Sequence, residues 1–143
     1  MQEKINEVAN ENNYLIFSVQ NTLYSIKTSN VQEIMHSAKI HPLPFVPDYI
    51  EGVVNCRGVA YSVVNILKLE NVEDSDMTNM PVLVFRRDDD QFALHISSIE
   101  LFFEPEKEDI FPDGIKYKTK LIPFFDVDSI ETTLLRDLRE EEL

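Results

Sequence analysis

The stretch YIEGVVNCRGV, residues 49–59, decides the expected fold of this chain. Its apolar and β-branched residues favour a strand, and the Arg57-Gly58 pair is typical of a tight turn. A second β-branched run, residues 59–64, begins directly after that turn. This region therefore predicts a hairpin of two short strands.

Strands are also expected nearer the N-terminus. Residues 14–19 and 23–26 are rich in aromatic and β-branched side chains, with a Gln-Asn turn between them. A Thr-Ser pair is expected to cap a short helical turn over residues 31–34. Residues 42–47 contain three prolines, and each lacks a backbone donor and restricts the residue before it. An extended connector is therefore expected there.

The second half of the chain repeats the apolar pattern of the first at an offset of 68 positions. The pairs that align without a gap include Leu15 with Leu83, Phe17 with Phe85, Tyr24 with Phe92, Ile26 with Leu94, Val31 with Ile99, and Ile34 with Phe102. Matching apolar residues can also arise by chance between two strands, but the ordered series favours an internal duplication. Each half would supply about five short strands, which suits small barrels packed along a shared apolar seam.

The two ends of the chain differ in character. Residues 1–13 are polar and form an expected N-terminal tail. Residues 128–143 are expected to be a helix, in which Asp128 and Glu131 have the spacing of a capping box. The apolar stripe of this helix consists of Ile130, Leu134 and Leu138.

Composition excludes several classes of partner. Asp and Glu total 26 against 13 Lys and Arg, a formal net charge of −13, so phosphate backbones and anionic lipid are repelled. Cys56 is the only cysteine, which rules out an intramolecular disulfide and favours a reducing compartment. Residues 1–13 lack the apolar segment of a signal peptide, and no apolar run approaches the ~18 residues that span a bilayer. We therefore expect a cytoplasmic protein without nucleic-acid binding or direct membrane insertion.

The chain offers no persuasive catalytic set. Cys56 beside Arg57 is either an activated thiol or a small apolar strand residue, and the second interpretation is favoured. The three histidines, His36, His41 and His95, do not match metal-ligand spacing, and the three glycines form no phosphate-binding loop. The sequence therefore predicts a non-enzymatic protein without a metal or cofactor.

Residues 49–59 resemble the signature strand pair of CheW-like domains, in which an aliphatic-rich strand runs into an Asn-x-Arg-Gly turn. Collinear matches extend the resemblance over residues 14–135, up to the closing Leu-Ile-Pro-Phe-Phe-Asp-Val run at residues 121–127. The resemblance implies a mainly β fold of two interleaved five-stranded SH3-like barrels with a shared apolar core and a C-terminal helix. It also implies a single domain over residues 14–143, made of two barrel subdomains that share strands.

The same resemblance implies a non-enzymatic adaptor in bacterial chemotaxis. Such a protein couples the cytoplasmic tips of chemoreceptors to the regulatory domain of the histidine kinase CheA. It is cytoplasmic and associates with membrane-bound receptor arrays through those partners.

Five residues are implied to bind these partners. Arg57 matches the family's turn arginine, which is linked with receptor coupling, and Asn55 belongs to the same turn motif. Glu33 matches a position at the receptor-facing groove, with Val31 and Ile34 as apolar anchors. Two alternatives remain: Arg57 could bond carbonyls of its own barrel, and core packing is the favoured alternative for Val31 and Ile34. Replacing Arg57 by Glu is expected to spare the fold and weaken assembly.

Departures from the family pattern leave other functions open. Ser62 and Asn65 stand where the family has a proline and a carboxylate, and Ser97 replaces an aspartate. One alternative is a CheW-fold binding module that serves another motility or signalling kinase or limits array assembly. The other is an unrelated β-rich enzyme or small-ligand protein. A deep polar pocket with convergent titratable groups would favour the enzyme, whereas shallow apolar grooves with a charged rim would favour an adaptor.

Overall fold

The computed structural model describes residues 12–70, 80–87 and 91–141, with the side chains of the last helix through Asp137. Its strands are β1 (Tyr14–Val19), β2 (Thr22–Lys27), β3 (Val31–Met35), β4 (Ile50–Cys56), β5 (Val59–Val64), β6 (Val82–Phe85), β7 (Phe92–His95), β8 (Ser98–Phe103), β9 (Ile110–Phe111), β10 (Gly114–Tyr117) and β11 (Lys120–Pro123). Its α-helices are α1 (Ile66–Leu69) and α2 (Val127–Glu141), and 3-10 turns occupy Thr28–Asn30 and Lys107–Asp109. Residues 1–11 of the expected tail lie outside the described residues, so the division into a tail and one domain stays a prediction.

The strands form one five-stranded sheet, in the order β3-β6-β7-β5-β4, and two three-stranded sheets, β2-β1-β8 and β11-β10-β9. A parallel bridge between Ser25 and Phe124 connects β2 with the end of β11 and so joins the two smaller sheets. The five-stranded sheet uses β3 to β7, so in the chain it is inserted between β2 and β8 of the smaller sheets. The described part of the chain is therefore mainly β with a C-terminal helix, which confirms the expected fold class.

The two halves of the chain exchange their third strands. β3 follows the β1-β2 hairpin but pairs with β6, whereas β8 follows the β6-β7 hairpin but pairs with β1. The pairs Val31–Phe85 and Ile99–Phe17 are related by the offset of 68, and each ladder shifts register next to that pair. The repeat expected from the sequence is therefore confirmed as a structural repeat. Because each hairpin takes a strand from the other half, neither half completes its sheet alone.

The helical turn expected over residues 31–34 is wrong, because these residues lie in strand β3. A 3-10 turn precedes them and is held by the backbone N–H of Thr28, which donates to the carbonyl of Asn13 at 3.0 Å. Val31 and Ile34 then pair with residues of β6. For β-branched side chains this long-range pairing outweighs a local turn.

Helix α2 is capped by Asp126, whose Oδ1 accepts a hydrogen bond from the Ser129 N–H at 3.0 Å. The capping box expected from Asp128 and Glu131 is therefore wrong. Asn65 caps α1 in the same way, since its side chain accepts hydrogen bonds from backbone N–H groups of the first turn. The structural repeat thus extends to the start of both helices.

Helix α2 packs on the sheets through its apolar side. Ile130 and Leu134 are buried, as the apolar stripe predicts, while the side chain of Leu138 lies outside the described residues. The hydroxyl of Tyr49, just before β4, donates to Oδ2 of Asp137 at 2.6 Å. This hydrogen bond lowers the pKa of Asp137. The pKa of Tyr49 is raised, chiefly by burial and to a smaller extent by the same hydrogen bond.

Arg87, just after β6, holds the first turn of α2. Its Nε donates to Oε2 of Glu131 at 2.6 Å, and its Nη2 donates to Oδ1 of Asp128 at 2.9 Å. The hydrogen bond to Glu131 raises the pKa of Arg87 most, and the hydrogen bond to Asp128 adds a smaller increase. The two carboxylates expected to cap the helix therefore anchor it to the five-stranded sheet.

The main core contains side chains from both halves of the chain. Phe17 of β1, Phe85 of β6 and Phe92 of β7 are buried in one cluster, together with Phe125 before α2. The Phe85 ring lies 5.2 Å from that of Phe92 and 5.9 Å from that of Phe125, between centroids. Rings at this spacing add a specific attraction to the burial of apolar area. The shared apolar core that the sequence predicts is therefore present.

Candidate functional site

The turn between β4 and β5 holds Arg57 in a fixed position. Arg57 and Gly58 form its two turn residues and have φ angles of 54° and 83°. Turns with two positive φ angles match the twist of a hairpin, and they favour glycine because it has no Cβ. The side-chain oxygen of Asn55 accepts a hydrogen bond from the Gly58 N–H at 2.9 Å. The predicted turn is thus confirmed, and Asn55 stabilises it while its side chain stays exposed.

Glu33 of β3 and Arg57 form an ion pair between a buried and an exposed group. Oε1 of Glu33 accepts a hydrogen bond from Nε of Arg57 at 3.2 Å. The Glu33 side chain is 3% exposed and that of Arg57 is 60% exposed. A carboxylate that loses its water needs a cation or a donor in exchange. Arg57 therefore stabilises its own barrel through Nε, while most of its side chain stays exposed.

Cys56 lies directly beside this ion pair. Its side chain is buried with valines of β4, β5 and β6. Burial, followed by the charge and hydrogen bond of Glu33, raises the pKa of Cys56 to about 11, and the charge of Arg57 opposes this shift only in part. A thiol with this pKa stays protonated near neutral pH and is a poor nucleophile. The interpretation of Cys56 as a small strand residue is supported.

Val31 and Ile34 lie in the main core, and each is 0% exposed. In this position neither side chain offers a surface to a partner, so the core-packing alternative describes them. Of the five residues implied to bind partners, the structure brings Glu33, Arg57 and Asn55 together at the turn. Only Arg57 and Asn55 of these three are exposed.

A cavity of about 620 Å³ opens where β2, β6 and the start of α2 meet. Its buried lining residues are apolar, as Ile26 and Phe85 show, and its exposed lining includes Arg86, Asp113 and Asp126. The cavity therefore combines a small apolar floor with several charged residues, and its lining does not distinguish an adaptor from an enzyme. Within the described part of the chain, its lining does not include Glu33 or Arg57. The cavity is therefore a different surface from the turn at which Glu33 and Arg57 form their ion pair.

His95 is a structural residue of the five-stranded sheet. It is 3% exposed, and its Nδ1 lies 2.8 Å from Oε2 of Glu51 in β4. Its Nε2 lies 3.2 Å from the carbonyl oxygen of Met80. Among the described residues, no group of three or more His, Cys, Asp or Glu side chains could hold a metal ion. In the same part of the chain, no helix is long and apolar enough to cross a membrane.

Two features of the surface were not accessible to reasoning from the sequence. Arg87 binds carboxylates 41 and 44 positions later, and the spacing of Asp128 and Glu131 had indicated a capping box instead. Phe45, in the proline-rich connector, is 93% exposed. A phenylalanine between prolines carries no signal of exposure in the sequence, since apolar residues are usually buried.

The chain is similar to known proteins over most of its length. The family model described as CheW-like domain matches residues 13–126. The chemotaxis protein CheW of Bacillus subtilis (strain 168) is 25% identical over 139 residues, which cover 87% of this chain and 89% of that protein. The chemotaxis protein CheW of Treponema pallidum (strain Nichols) is 24% identical over 99 residues, which cover 66% of this chain and 58% of that protein.

A solved structure has the same fold. The crystal structure of the scaffolding protein TtCheW from Thermoanaerobacter tengcongensis matches with a TM-score of 0.73 and 17% sequence identity. The match covers 82% of this chain and 90% of that chain. At this identity the likeness concerns the arrangement of strands, and it agrees with the expected SH3-like barrels.

Proposed function

Because this chain belongs to the family of CheW-like domains, we propose that it is a non-enzymatic coupling adaptor in bacterial chemotaxis. In this role it joins the cytoplasmic tips of chemoreceptors to the regulatory domain of the histidine kinase CheA. It works in the cytoplasm and associates with membrane-bound arrays through these partners. Relatives named chemotaxis protein CheW support the proposal, one of them across 89% of its length.

The observation that carries the proposal is the state of Arg57. Its side chain is 60% exposed, yet a fixed turn and the bond from Nε to Glu33 hold it in place. A guanidinium has five N–H donors, so those on its outer nitrogens can bind a partner's carboxylate or carbonyl oxygens. A side chain that is ordered before binding loses less entropy on association. Arg57 can therefore stabilise its own barrel and recognise a partner at the same time.

Two of the departures from the family pattern, Ser97 and Asn65, make hydrogen bonds inside the chain. Oγ of Ser97 accepts a hydrogen bond from the Gln20 N–H at 2.6 Å, and the Ser97 N–H donates to the carbonyl of Ser18 at 2.8 Å. Asn65 caps α1. Ser97 and Asn65 therefore have structural roles within this chain.

The test compares Glu33→Gln with the double variant Glu33→Gln/Arg57→Gln. The geometry argues against the simpler Arg57→Glu, because a second carboxylate would lie beside the buried one of Glu33 and disturb the fold. In the Glu33→Gln background no buried charge depends on Arg57, so the two variants differ only in the guanidinium. Assembly with purified CheA and receptor-containing membranes from the same host is measured by co-sedimentation.

Glu33→Gln keeps a side-chain oxygen that accepts the Nε hydrogen bond of Arg57, so it is expected to co-sediment like the unsubstituted chain, whereas the double variant is expected to lose most of its assembly. Lys107→Glu, an exposed charge reversal in the 3-10 turn before β9, serves as the control and should assemble normally. Normal assembly of the double variant would remove Arg57 from the coupling surface. Failure of the unsubstituted chain to bind kinase or receptors would refute the proposed function and favour the alternative module.

A further inference from the structure

Helix α2 follows the sheets and takes no part in their strand pairing. Phe125, just before the helix, is bonded to the sheets through its backbone, since its N–H donates to the carbonyl of Ser25 at 2.8 Å. The helix begins at Val127, and its own backbone hydrogen bonds run along the helix. The family match over residues 13–126 contains all the described strands and ends one residue before α2. Separation of α2 would therefore leave every described strand pairing in place.

Two buried side chains hold α2 on the sheets, in the part of the helix whose side chains the structure describes. Ile130 and Leu134 are buried in the main core, and Val127 is partly buried against it. Leu135 is 46% exposed, so the helix buries a narrow stripe and leaves its other side in water. A helix of 15 residues is only marginally stable by itself in water. A released α2 would therefore lose its helical structure, so that docking and helix formation are one step.

Three hydrogen bonds connect α2 to the rest of the chain, and in each a carboxylate of the helix is the acceptor. Arg87 donates to Asp128 and Glu131, and the hydroxyl of Tyr49 donates to Asp137. The side chain of Asp128 is 85% exposed, and those of Glu131 and Asp137 are each 21% exposed. Water can replace partly exposed contacts of this kind at a small net cost. These bonds therefore position the helix without fixing it permanently.

Helix α2 also forms one wall of the cavity of about 620 Å³. Val127 and Asp128 line this cavity together with Phe85 and Phe125, whose side chains are buried while the helix is docked. Phe85 belongs to β6, and Phe125 is bonded to β2 through its backbone. Both rings would therefore stay in place when the helix leaves, and they would become more exposed.

We propose that α2 is a strap, a helix that releases from the sheets as one cooperative unit without unfolding them, and that its release uncovers the apolar floor of the cavity. Parts of a folded protein with few buried contacts open at a lower free energy than its core, and they open as units. The docked and released forms are then two states in equilibrium, and a ligand that binds the uncovered surface favours the released state. The strap thus controls access to that surface.

Native-state hydrogen exchange of the full-length chain tests the strap directly. The amides in the middle of α2 should share one protection factor, at least tenfold lower than that of the amides in β1. Strand β1 is the reference because all its residues are buried and it pairs with a strand on each side. Equal protection of α2 and β1 would overturn the proposal, because the helix would then open only when the whole domain unfolds.

The double variant Ile130→Gln/Leu134→Gln removes the buried apolar contacts and keeps good helix formers at both positions. Its α2 amides should lose their remaining protection while those of β1 stay protected. Nile red, a neutral apolar dye, should fluoresce at least threefold more strongly with it than with the unsubstituted chain. The control Leu135→Gln, at an exposed position of the same helix, should leave exchange and dye fluorescence unchanged.

Two results with the double variant would overturn the proposal. Loss of protection in β1 would show that the sheets do not stay folded without the docked helix. Unchanged dye fluorescence together with an unprotected α2 would show that release of the helix uncovers no apolar surface.

Discussion

Arg57 and Lys118 occupy the same position in the two halves of the chain. Each is the first residue of a two-residue hairpin turn, with φ angles of 54° and 56°. Arg57 is bound to the buried carboxylate of Glu33, whereas Lys118 lies 5.5 Å from the centre of the Tyr117 ring, which packs against Phe103. Both halves therefore form the same turn. Among the described residues, the cation of this turn is paired with a buried carboxylate in the first half, at Arg57.

The first prediction concerns the ion pair at this turn. Arg57→Gln leaves the Glu33 carboxylate buried without its cation, so the free energy of unfolding should fall by about 1–2 kcal/mol, less than for a fully buried pair because Arg57 is exposed. The double variant Glu33→Gln/Arg57→Gln should recover most of this loss. Urea denaturation of both variants measures the difference. Equal stability of Arg57→Gln and the unsubstituted chain would show that Glu33 does not depend on Arg57.

The second prediction concerns alkaline pH. Burial raises the pKa of Cys56 from 9.0 to about 11, so between these values the folded chain keeps a proton that the unfolded chain releases. The free energy of unfolding should therefore decrease as pH rises from 9 to 11. In Cys56→Ala this decrease should be shallower by at most about 1.4 kcal/mol per pH unit. Urea denaturation across the range gives the two slopes, and identical slopes would contradict the prediction.

The third prediction compares two glycines of the β4-β5 hairpin. A Cβ on Gly52 would lie 2.1 Å from the carbonyl oxygen of His41, and the φ angle of Gly52 is 146°. Gly52→Ala should therefore cost at least about 3 kcal/mol, because the connector would separate from β4. Gly58, with φ of 83°, has nothing within 4 Å of its Cβ position, so Gly58→Ala should cost only the left-handed strain of about 1–2 kcal/mol. Equal losses in urea denaturation would refute this account.

The fourth prediction concerns the attachment of helix α2. Glu131 is 21% exposed and bonds Arg87 at 2.6 Å, whereas Asp128 is 85% exposed. Glu131→Gln should therefore lower the free energy of unfolding by about 1 kcal/mol, and Asp128→Asn should change it by less than about 0.5 kcal/mol. Thermal unfolding at low and high salt measures both. A larger effect of Asp128→Asn would mean that solvent does not screen the outer pair.

Features that follow from local composition or from a regular spacing were predictable from the sequence. The Arg57-Gly58 turn, the flanking strands and the repeat at an offset of 68 follow from local composition and spacing. The helix at the C-terminus follows from its apolar stripe, but its cap does not. Asp126 and Asp128 both lie near the helix start, but the helix begins at Val127, so Asp126 caps it while Asp128 binds the distant Arg87.

The sequence by itself determined the class of fold, the hairpin that presents Arg57 and the acidic, single-cysteine character of the chain. Only the tertiary structure decided that residues 31–34 form a strand, since their partners in β6 lie far along the chain. The same pairing buries Glu33 and so converts an apparent surface charge into the partner of Arg57. Likewise the exposure of Phe45 results from contacts that hold both ends of its connector. Burial depends on which distant segments meet, and local pattern alone does not contain that information.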